Sequence, residues 1–387
     1  MLEQIQTTVG ALGALFDGPH ATPVRRKEGP YFLNISSLKS GRLDLAESDH
    51  VSLEDFTKWT RRVTPRENDL LFSYETRLGE AALMPAGVEA CLGRRMALLR
   101  PDVGVVHPRF LLYLFLSPTF QRTIQKHTIH GATVPRIGLA TMADWEVSIP
   151  RLPQQRAIAE VLGALDDKIA ANQRTITGAD ELARTHFRAA SAKGEEAPLS
   201  SLARFVNGRA YTKNATGTGR VVVRIAELNS GIGASTVRND IEVPDDNTAR
   251  PGDLLFAWSG SLTVARWYRP EAIVNQHIFK VIPSMNNPMW LVNQAVHEAL
   301  NEFKAIAADK ATTMGHIQRR HLDELVRIPS RSDVERLDAL MAGLWEVALT
   351  TEIENLKLAA TRDELLPLLM SGKIRVKDAE KATEGVL

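Results

Sequence analysis

Polar side chains follow a hydrophobic, strand-like segment in the second half of the chain. Trp258, Ser259 and Ser261 come directly after residues 253–257 and end in a Gly/Ser turn. Hydroxyl groups and backbone amides in such a turn can hydrogen-bond to a base edge or a phosphate, and an indole ring can stack. The alternative is an ordinary β-turn with a tryptophan in the core, and the sequence leaves both interpretations open.

Comparable side chains recur in both halves of the chain. The amides and imidazole of residues 275–277 suit base-edge hydrogen bonds better than a metal site, because the metal ligands are too few and too weak. The further candidates of the second half are Arg209, Tyr211, Lys213, Asn275, Gln276, His277, Thr312, Thr313, His316, Arg319 and Arg320. The candidates of the first half are Ser73, Tyr74, Glu75, Thr76, Arg77, Arg94, Arg95, Thr133 and Arg136.

The charged candidates each have a structural alternative. The Glu75 carboxylate can accept a hydrogen bond from a cytosine amino group, or it can form a surface ion pair with Arg77. The adjacent Arg319 and Arg320 are either a solvated charge pair or contacts to phosphates and bases. We favour contacts, because the matching segment of the first half also carries a threonine and Arg136.

Catalytic motifs are incomplete in this sequence. Residues 287–290 lack the second proline of an amino-methyltransferase turn and predict the start of a helix. Asp102 has no following Glu-x-Lys, as a nuclease would require, and the glycines form neither a phosphate loop nor a dinucleotide fingerprint. Cys91, the only cysteine, is predicted to be a buried structural thiol. We therefore predict that this chain is not an enzyme and holds no metal or cofactor.

Two stretches of the chain are copies of one unit. Asp69 and Phe72 recur as Asp253 and Phe256 at an offset of 184 residues, and residues 131–137 correspond to residues 311–317 at an offset of 180. This period is much longer than the roughly 20 to 50 residues of solenoid repeats. It indicates a duplicated globular domain.

The elements that position these segments are short strands, one medium helix and one long helix in each copy. Strands are predicted at residues 31–35, 69–73, 95–99, 220–225, 253–258 and 278–282, and the medium helices at residues 108–127 and 289–304. Apolar spacings of three and four residues predict long helices over residues 154–192 and 333–366, about 58 and 51 Å long. Ser332 with Glu335 predicts the start of the second long helix, and Pro367 with Gly372 its end.

Helices of this length exceed the diameter of a small domain. They favour an antiparallel coiled coil between the two globular units over helices that each pack on their own domain. The predicted fold class is α/β (α+β): two mixed α/β domains, two long spacer helices and a pseudo-two-fold internal repeat.

Composition is that of an ordinary globular protein. The chain has 387 residues, 44% apolar and 24% charged, with a net charge of +1. No apolar run approaches the roughly 18 residues of a membrane span, and no signal segment is evident, so a cytoplasmic location is expected. A nucleic-acid ligand would require local basic clusters or positive surface supplied by a partner, because the net charge is close to zero.

Two segments carry a family resemblance. Residues 149–172 and residues 354–374 are similar to the central and distal spacer helices of the specificity subunits of type I restriction-modification enzymes. The resemblance implies two target recognition domains, each reading one half of an asymmetric, interrupted sequence in double-stranded DNA. It implies docking of two modification subunits, and of restriction or translocase subunits in the full complex. Catalytic groups and S-adenosylmethionine would then reside on the modification subunits.

The resemblance also divides the chain. Residues 1–150 and 195–330 would be the recognition domains, 151–194 and 331–375 the spacer helices, and 376–387 a C-terminal tail. Alternatives are the specificity subunit of a two-subunit system that cuts on both sides of its site, and a coiled-coil adaptor that binds only protein. The predicted contacts with partner subunits are Gln155, Ile158, Leu162, Leu165, Ile169, Leu340, Leu344, Leu358 and Leu365.

Overall fold

The computed structural model describes residues 4–39, 41–131, 134–284, 286–309, 315–385 and 387. The chain divides into two compact units. Unit 1 comprises Met1–Lys168 together with Leu358–Leu387, and unit 2 comprises Ile169–Lys357. The two long helices pass from one unit into the other.

Short strands dominate the globular parts of both units. The strands of unit 1 are β1 (Gln4–Thr8), β2 (Gly13–Asp17), β3 (Arg26–Leu33), β4 (Leu38–Lys39), β5 (Arg42–Leu43), β6 (Asp49–His50), β7 (Leu70–Ser73), β8 (Ala81–Leu83), β9 (Ala90–Leu92), β10 (Met96–Pro101), β11 (Thr128–Ile129), β12 (Arg136–Ile137) and β13 (Glu146–Pro150). Those of unit 2 are β14 (Glu195–Pro198), β15 (Ala203–Asn207), β16 (Arg220–Val223), β17 (Arg238–Asn239), β18 (Thr248–Ala249), β19 (Leu254–Ala257), β20 (Thr263–Arg266), β21 (Ala272–Val274), β22 (Ile278–Pro283) and β23 (Leu325–Ile328).

The α-helices of the described ranges include two of 40 residues each. In chain order the helices are α1 (Leu53–Trp59), α2 (Pro108–Leu116), α3 (Pro118–Lys126), α4 (Leu139–Met142), α5 (Leu152–Ser191), α6 (Leu199–Leu202), α7 (Ile225–Ser230), α8 (Met289–Asp309), α9 (Arg331–Met370) and α10 (Val376–Thr383). None of these helices is long and apolar enough to cross a membrane.

Each unit contains the same pair of sheets, which confirms the internal repeat. The antiparallel order β2-β10-β7-β8 of unit 1 recurs as β15-β22-β19-β20 in unit 2. A second sheet in each unit contains a parallel pair, β3 with β9 and β16 with β21, beside antiparallel neighbours. Both units therefore have a mixed α/β fold, as predicted.

The repeated aspartate has a structural role in both copies. Asp69 Oδ2 accepts a hydrogen bond from the backbone N of Arg66 at 2.8 Å, and Asp253 Oδ2 accepts one from Arg250 N at 2.7 Å. Each carboxylate also pairs with a cation on the neighbouring strand, Arg100 or Lys280. The motif recurs because this carboxylate closes the turn that leads into β7 and β19.

Two helix predictions required correction. The segment predicted as one helix over residues 108–127 is two helices, α2 and α3, separated at Ser117. Pro118 disfavours helical geometry at Ser117, whose backbone is extended and whose Oγ accepts from Phe120 N at the start of α3. α9 begins with Ser330 as its cap, not Ser332, because Ser330 Oγ accepts from Asp333 N.

The end of α9 also differs from its prediction. Pro367 lies inside the helix, which continues to Met370. Gly372 follows in the left-handed region, with φ +67°, so the glycine part of the predicted stop is correct.

The long helices are antiparallel within unit 2. Asn172 of α5 donates to Glu354 and Asn355 of α9, while Ala179, further along α5, packs near Ala348, earlier along α9. As the residue number increases along α5, the number of the contacting residue on α9 decreases, so the two helices run antiparallel here. Unit 1 holds its portions of both helices through an ion pair of 2.8 Å between Asp166 and Arg362.

Candidate nucleic-acid interface

Three segments meet at the candidate loop of each unit. In unit 1 the backbone O of Tyr74 accepts from Ile137 N at 2.8 Å, and Tyr74 N donates to Arg95 O at 3.2 Å. In unit 2 Trp258 makes the same two bonds, with Ile317 N at 3.1 Å and His277 O at 3.1 Å. The sequence repeat therefore places one loop, with one backbone framework, in each unit.

A left-handed residue turns both loops. Thr76 has φ +70°, and Gly260 has φ +66° at the equivalent position. Their amides donate to equivalent backbone oxygens, Thr76 N to Pro135 and Gly260 N to Gly315. The turn keeps Glu75 of unit 1 and Ser259 of unit 2 in matching places.

Side chains on the shared framework differ between the units. Glu75, Arg95 and Arg136 of unit 1 occupy the positions of Ser259, His277 and His316 in unit 2, with isolated bridges joining Glu75 to Arg136 and Ser259 to His316. One loop thus carries a carboxylate and guanidinium groups, whereas the other carries a largely buried hydroxyl and imidazoles. Equivalent positions with unlike chemistry suit the reading of two different sets of base edges.

Of the two alternatives for Glu75, the ion pair with Arg77 does not form. Glu75 lies 3.7 Å from the Nε of Arg95, whereas Arg77 pairs with Glu80 at 3.1 Å and donates to the backbone oxygens of Ile35 and Leu38. Sequence proximity suggested the nearer arginine, but the chain turns at Thr76 and brings β10 against the loop. The guanidinium of Arg77 is therefore fixed within unit 1.

Four predicted contacts are buried: Ser259, and three side chains that hydrogen-bond within their own unit. Ser73 Oγ donates to Glu75 O, and Tyr74 Oη donates to Arg94 O, while Asn275 Oδ1 accepts from Tyr211 N. Burial raises the pKa of Tyr74 to about 12, so its hydroxyl stays protonated at neutral pH. As placed, these three side chains hold the loops in shape rather than face a ligand.

Trp258 packs against neighbouring rings of its own unit and keeps part of its surface exposed. Its ring packs against His277 at 5.0 Å and Phe279 at 5.8 Å between ring centroids, and its Nε1 donates to Asn207 Oδ1 at 2.8 Å. The ring remains partly exposed. The sequence analysis missed Asn207, although an amide at the end of a strand opposite the loop was a usable signal.

Several basic candidates have no carboxylate partner among the residues that the structure describes. Most arginines elsewhere in the chain do have one, as Arg109 does with Asp167 and Arg204 with Asp246. Exposed cations with unused charge are available for phosphates. The exposed candidates without an ion pair in the described ranges are Arg94, Arg136, Arg209, Lys213, Arg319 and Arg320.

The other candidates are placed as follows. Thr76, Ser261, Gln276 and His277 are exposed, and Tyr211 is half-buried, with its hydroxyl donating to Asn247. Thr133, Thr312 and Thr313 lie outside the described residues.

Most predicted partner contacts are buried within the chain itself. Gln155 shows why, because its side chain bonds to His107 N, Val105 O and Pro150 O inside unit 1. Leu340 is exposed, and Leu344 and Ile169 are half-buried. The apolar spacing of three and four residues that predicted the long helices reports mainly the helix face turned towards the core of the chain. The buried ones are Gln155, Ile158, Leu162, Leu165, Leu358 and Leu365.

The described part of the chain offers little for metal binding or for nucleophilic catalysis by a thiol. Its His, Cys, Asp and Glu side chains form no group of three or more able to hold a metal ion. Cys91 is buried, as predicted, and burial raises the pKa of its thiol to about 12. Such a thiol is a poor nucleophile.

Two mixed α/β units carry equivalent polar loops, and two helices of 40 residues each contribute to both units. Residues 32–179 match the family model described as the type I restriction modification DNA specificity domain. In this region the chain is similar to the specificity subunits of type I restriction-modification enzymes.

Individual proteins show the same similarity. A putative type I restriction enzyme specificity subunit of Methanocaldococcus jannaschii is 25% identical over 168 residues, which cover 41% of this chain and 38% of that protein. The chain thus matches well under half the length of this relative. The crystal structure of the S subunit of a type I restriction-modification system from M. genitalium has the same fold, with a TM-score of 0.57 and 16% identity over 95% of this chain and 96% of that one.

Proposed function

We propose that this protein is the DNA-recognition subunit of a type I restriction-modification complex. Residues 1–150 read one half of an asymmetric, bipartite target in double-stranded DNA, and residues 195–330 read the other half. The spacer helices, residues 151–194 and 331–375, set the distance between the halves and dock two modification subunits. Restriction subunits join the full complex.

The observation that carries the proposal is the pair of loops after β7 and β19. Their backbones make the same hydrogen bonds, but their side chains differ at each equivalent position. A duplicated framework with unlike polar groups fits two unlike half-sites. The target is accordingly non-palindromic.

The charge distribution supports a DNA-binding site that this chain shares with its modification subunits. The exposed cations near the loops supply local contacts to phosphates, but the net charge of the chain is only +1. We therefore expect weak binding by the isolated chain and tighter binding once modification subunits enclose the duplex. The chain is non-catalytic in this proposal, binds no cofactor, and acts in the cytoplasm, with S-adenosylmethionine bound by the modification subunits.

Methylation sequencing of single DNA molecules tests the proposal. Cells express the partner modification subunit, with or without this chain. We expect a methylated, bipartite, asymmetric motif that disappears when the chain is absent. Methylation that persists without the chain, or identical half-sites, would contradict the proposal.

Glu75→Gln should relax specificity at one base pair of one half-site. A carboxylate only accepts hydrogen bonds, whereas an amide also donates, so discrimination for a cytosine amino group falls by about 1–3 kcal/mol. The measurement is competition binding with duplexes substituted at one pair each. Ser259→Ala is the matched control, because it should alter only the other half-site. Unchanged discrimination at every pair in Glu75→Gln would exclude Glu75 from base reading.

Exposed apolar side chains on α9 favour docking of a modification subunit there. Leu340 and Val347 are 43% and 44% exposed, and their spacing of seven residues puts them on one helix face. Leu340→Glu combined with Val347→Glu should weaken subunit assembly at least about tenfold, because charges then enter an apolar contact. Assembly is measured by analytical ultracentrifugation. Ala342→Glu adds the same charge to another face of α9 and should leave assembly intact; equal losses in both variants would rule out this docking face.

A further inference from the structure

A cationic pocket lies beside the candidate loop of unit 1. The parallel strands β3 and β9 end together at the paired residues Leu33 and Leu92, and the chain segments after both strands border a cavity of about 280 Å³. The carboxyl ends of parallel strands are a common place for ligands. The polar side chains lining the cavity are Thr22, Arg25, Asn34, Ser36, Arg94 and Arg95.

Three guanidinium groups line this pocket against two nearby carboxylates. Arg25 pairs with Asp49 at 3.0 Å, and Arg95 lies 3.7 Å from Glu75. Arg94 has no carboxylate partner among the described residues, and its backbone O is held by the hydroxyl of Tyr74. The pocket therefore carries one uncompensated positive charge, which a singly charged anion would balance.

The amide of Asn34 presents a donor to the same pocket. Its Oδ1 accepts from Ser36 N at 2.8 Å and from Ser36 Oγ at 2.6 Å, which uses the acceptor side of the amide and fixes its orientation. Its Nδ2 makes no hydrogen bond within the described ranges. Arg94, Arg95 and the Asn34 amide NH₂ thus offer hydrogen-bond donors to a ligand. The Asn34 oxygen already accepts two hydrogen bonds from Ser36.

Close backbone packing brings Arg94 over the pocket. Gly93 N donates to Leu33 O at 2.7 Å. A Cβ on Gly93 would lie 2.7 Å from that same oxygen and 3.3 Å from the Phe32 ring, so a larger residue would push the turn away.

Unit 2 has the same backbone here with different side chains. Asn275 N bonds to Val223 O, as Gly93 N does to Leu33 O, and Gln276 and His277 follow in place of Arg94 and Arg95. Arg224, at the position of Asn34, is bound to Glu227 by hydrogen bonds of 2.6 and 2.9 Å. The cationic pocket is therefore a property of unit 1 and not a consequence of the fold.

We propose that this pocket binds one backbone phosphate of the DNA, next to the half-site read by unit 1. The inference rests on the proposed function. A phosphodiester carries one negative charge and only hydrogen-bond acceptors, which matches the pocket. Phosphate contacts fix the register of a protein on the duplex. Arg95 lines the pocket and lies beside Glu75, so a phosphate held there fixes the loop relative to the bases.

The test compares Arg94→Ala with wild type in the full chain assembled with its modification subunits. Binding to target and scrambled duplexes is measured over a range of KCl concentrations. We expect about tenfold weaker binding to both duplexes, and a slope of log K against log salt that is smaller by about one. Arg122→Ala removes an exposed arginine of α3 and should change neither quantity. Thermal unfolding confirms that both variants fold.

Neutral methylphosphonates, placed singly along the target, locate the contact. One position near the first half-site should weaken wild-type binding and have no further effect on Arg94→Ala. An unchanged salt slope in Arg94→Ala, a loss confined to particular base pairs, or Arg94-dependent binding of inorganic phosphate without any effect on DNA would overturn the inference. If the protein binds its target specifically and Arg94→Ala has no effect, the phosphate pocket is refuted and the proposed function stands. If target and scrambled duplexes bind equally and the salt dependence of log K still changes in Arg94→Ala, the proposed function is refuted and the pocket stands.

Discussion

Arg266→Leu lowers the free energy of unfolding by about 3–5 kcal/mol, because it leaves a buried carboxylate without its partner. Arg266 is 6% exposed, and its guanidinium donates to Glu352, which is 16% exposed, at 2.8 and 3.2 Å. Asp180 adds a weaker contact at 3.4 Å, and the Trp345 ring lies 4.6 Å from the guanidinium carbon. Chemical denaturation at pH 7 measures the loss.

A second substitution separates the buried charge from the lost packing. Leu83 of unit 1 is equivalent to Arg266 of unit 2. Leu83 pairs with Leu70, the first residue of β7, and Arg266 pairs with Leu254, the first residue of β19. A leucine therefore suits this backbone. Arg266→Leu combined with Glu352→Leu should recover most of the stability, because an apolar pair replaces the ion pair. A double variant as unstable as Arg266→Leu would show that packing, not the stranded charge, causes the loss.

The loss of unfolding free energy in Arg266→Leu should depend on pH. Burial already raises the pKa of Glu352 above its ordinary value, and removal of Arg266 raises it further. A raised carboxyl pKa means that the folded state binds the proton more tightly than the unfolded state. Stability of the variant relative to wild type therefore rises as pH falls from 7 towards 5, and a deficit independent of pH would contradict this cause.

His297 should make wild-type stability fall as pH decreases from about 6.5 to 4. Burial lowers the pKa of His297 to about 4, with a further contribution from Arg184 and opposition from Asp180. The unfolded chain then binds a proton that the folded chain does not, so the loss approaches about 3 kcal/mol across this window. Stability is measured by urea denaturation at half-unit steps of pH.

His297→Gln isolates this contribution. The variant removes the titrating imidazole from α8, so its stability should change less than that of wild type between pH 6.5 and 5, because all other titratable groups are common to both proteins. His130→Gln, which alters an exposed imidazole, is the matched control variant. Identical pH profiles for wild type and His297→Gln would show that His297 does not titrate differently on folding.

Local sequence signals were enough for most elements. Asp69 and Asp253 recur at one offset because each closes the same turn, and the offset correctly predicted equivalent strands after both. Apolar spacing predicted both long helices to within about four residues at each end. The break at Ser117 was also readable, since it precedes Pro118.

The candidate interface was only partly predictable. The sequence located the polar loops after β7 and β19, because strand ends and turn residues are local features. It did not show which polar groups would be buried, as Ser73 and Asn275 are, or that Glu75 would face Arg95. It also did not identify the pocket at Asn34, which requires two parallel strands to end at one place.

By itself, the sequence determined that the protein has two copies of a mixed α/β unit, each with a polar loop and a share of long helices. Those features depend on the periodicity of apolar residues and on turn chemistry, which act between neighbours in the chain. Only the tertiary structure decided which charges are neutralised and which remain available, as Arg266 and Arg94 illustrate. Glu352 lies 86 residues from Arg266, and such partners meet only when the whole unit packs, so local sequence cannot assign them.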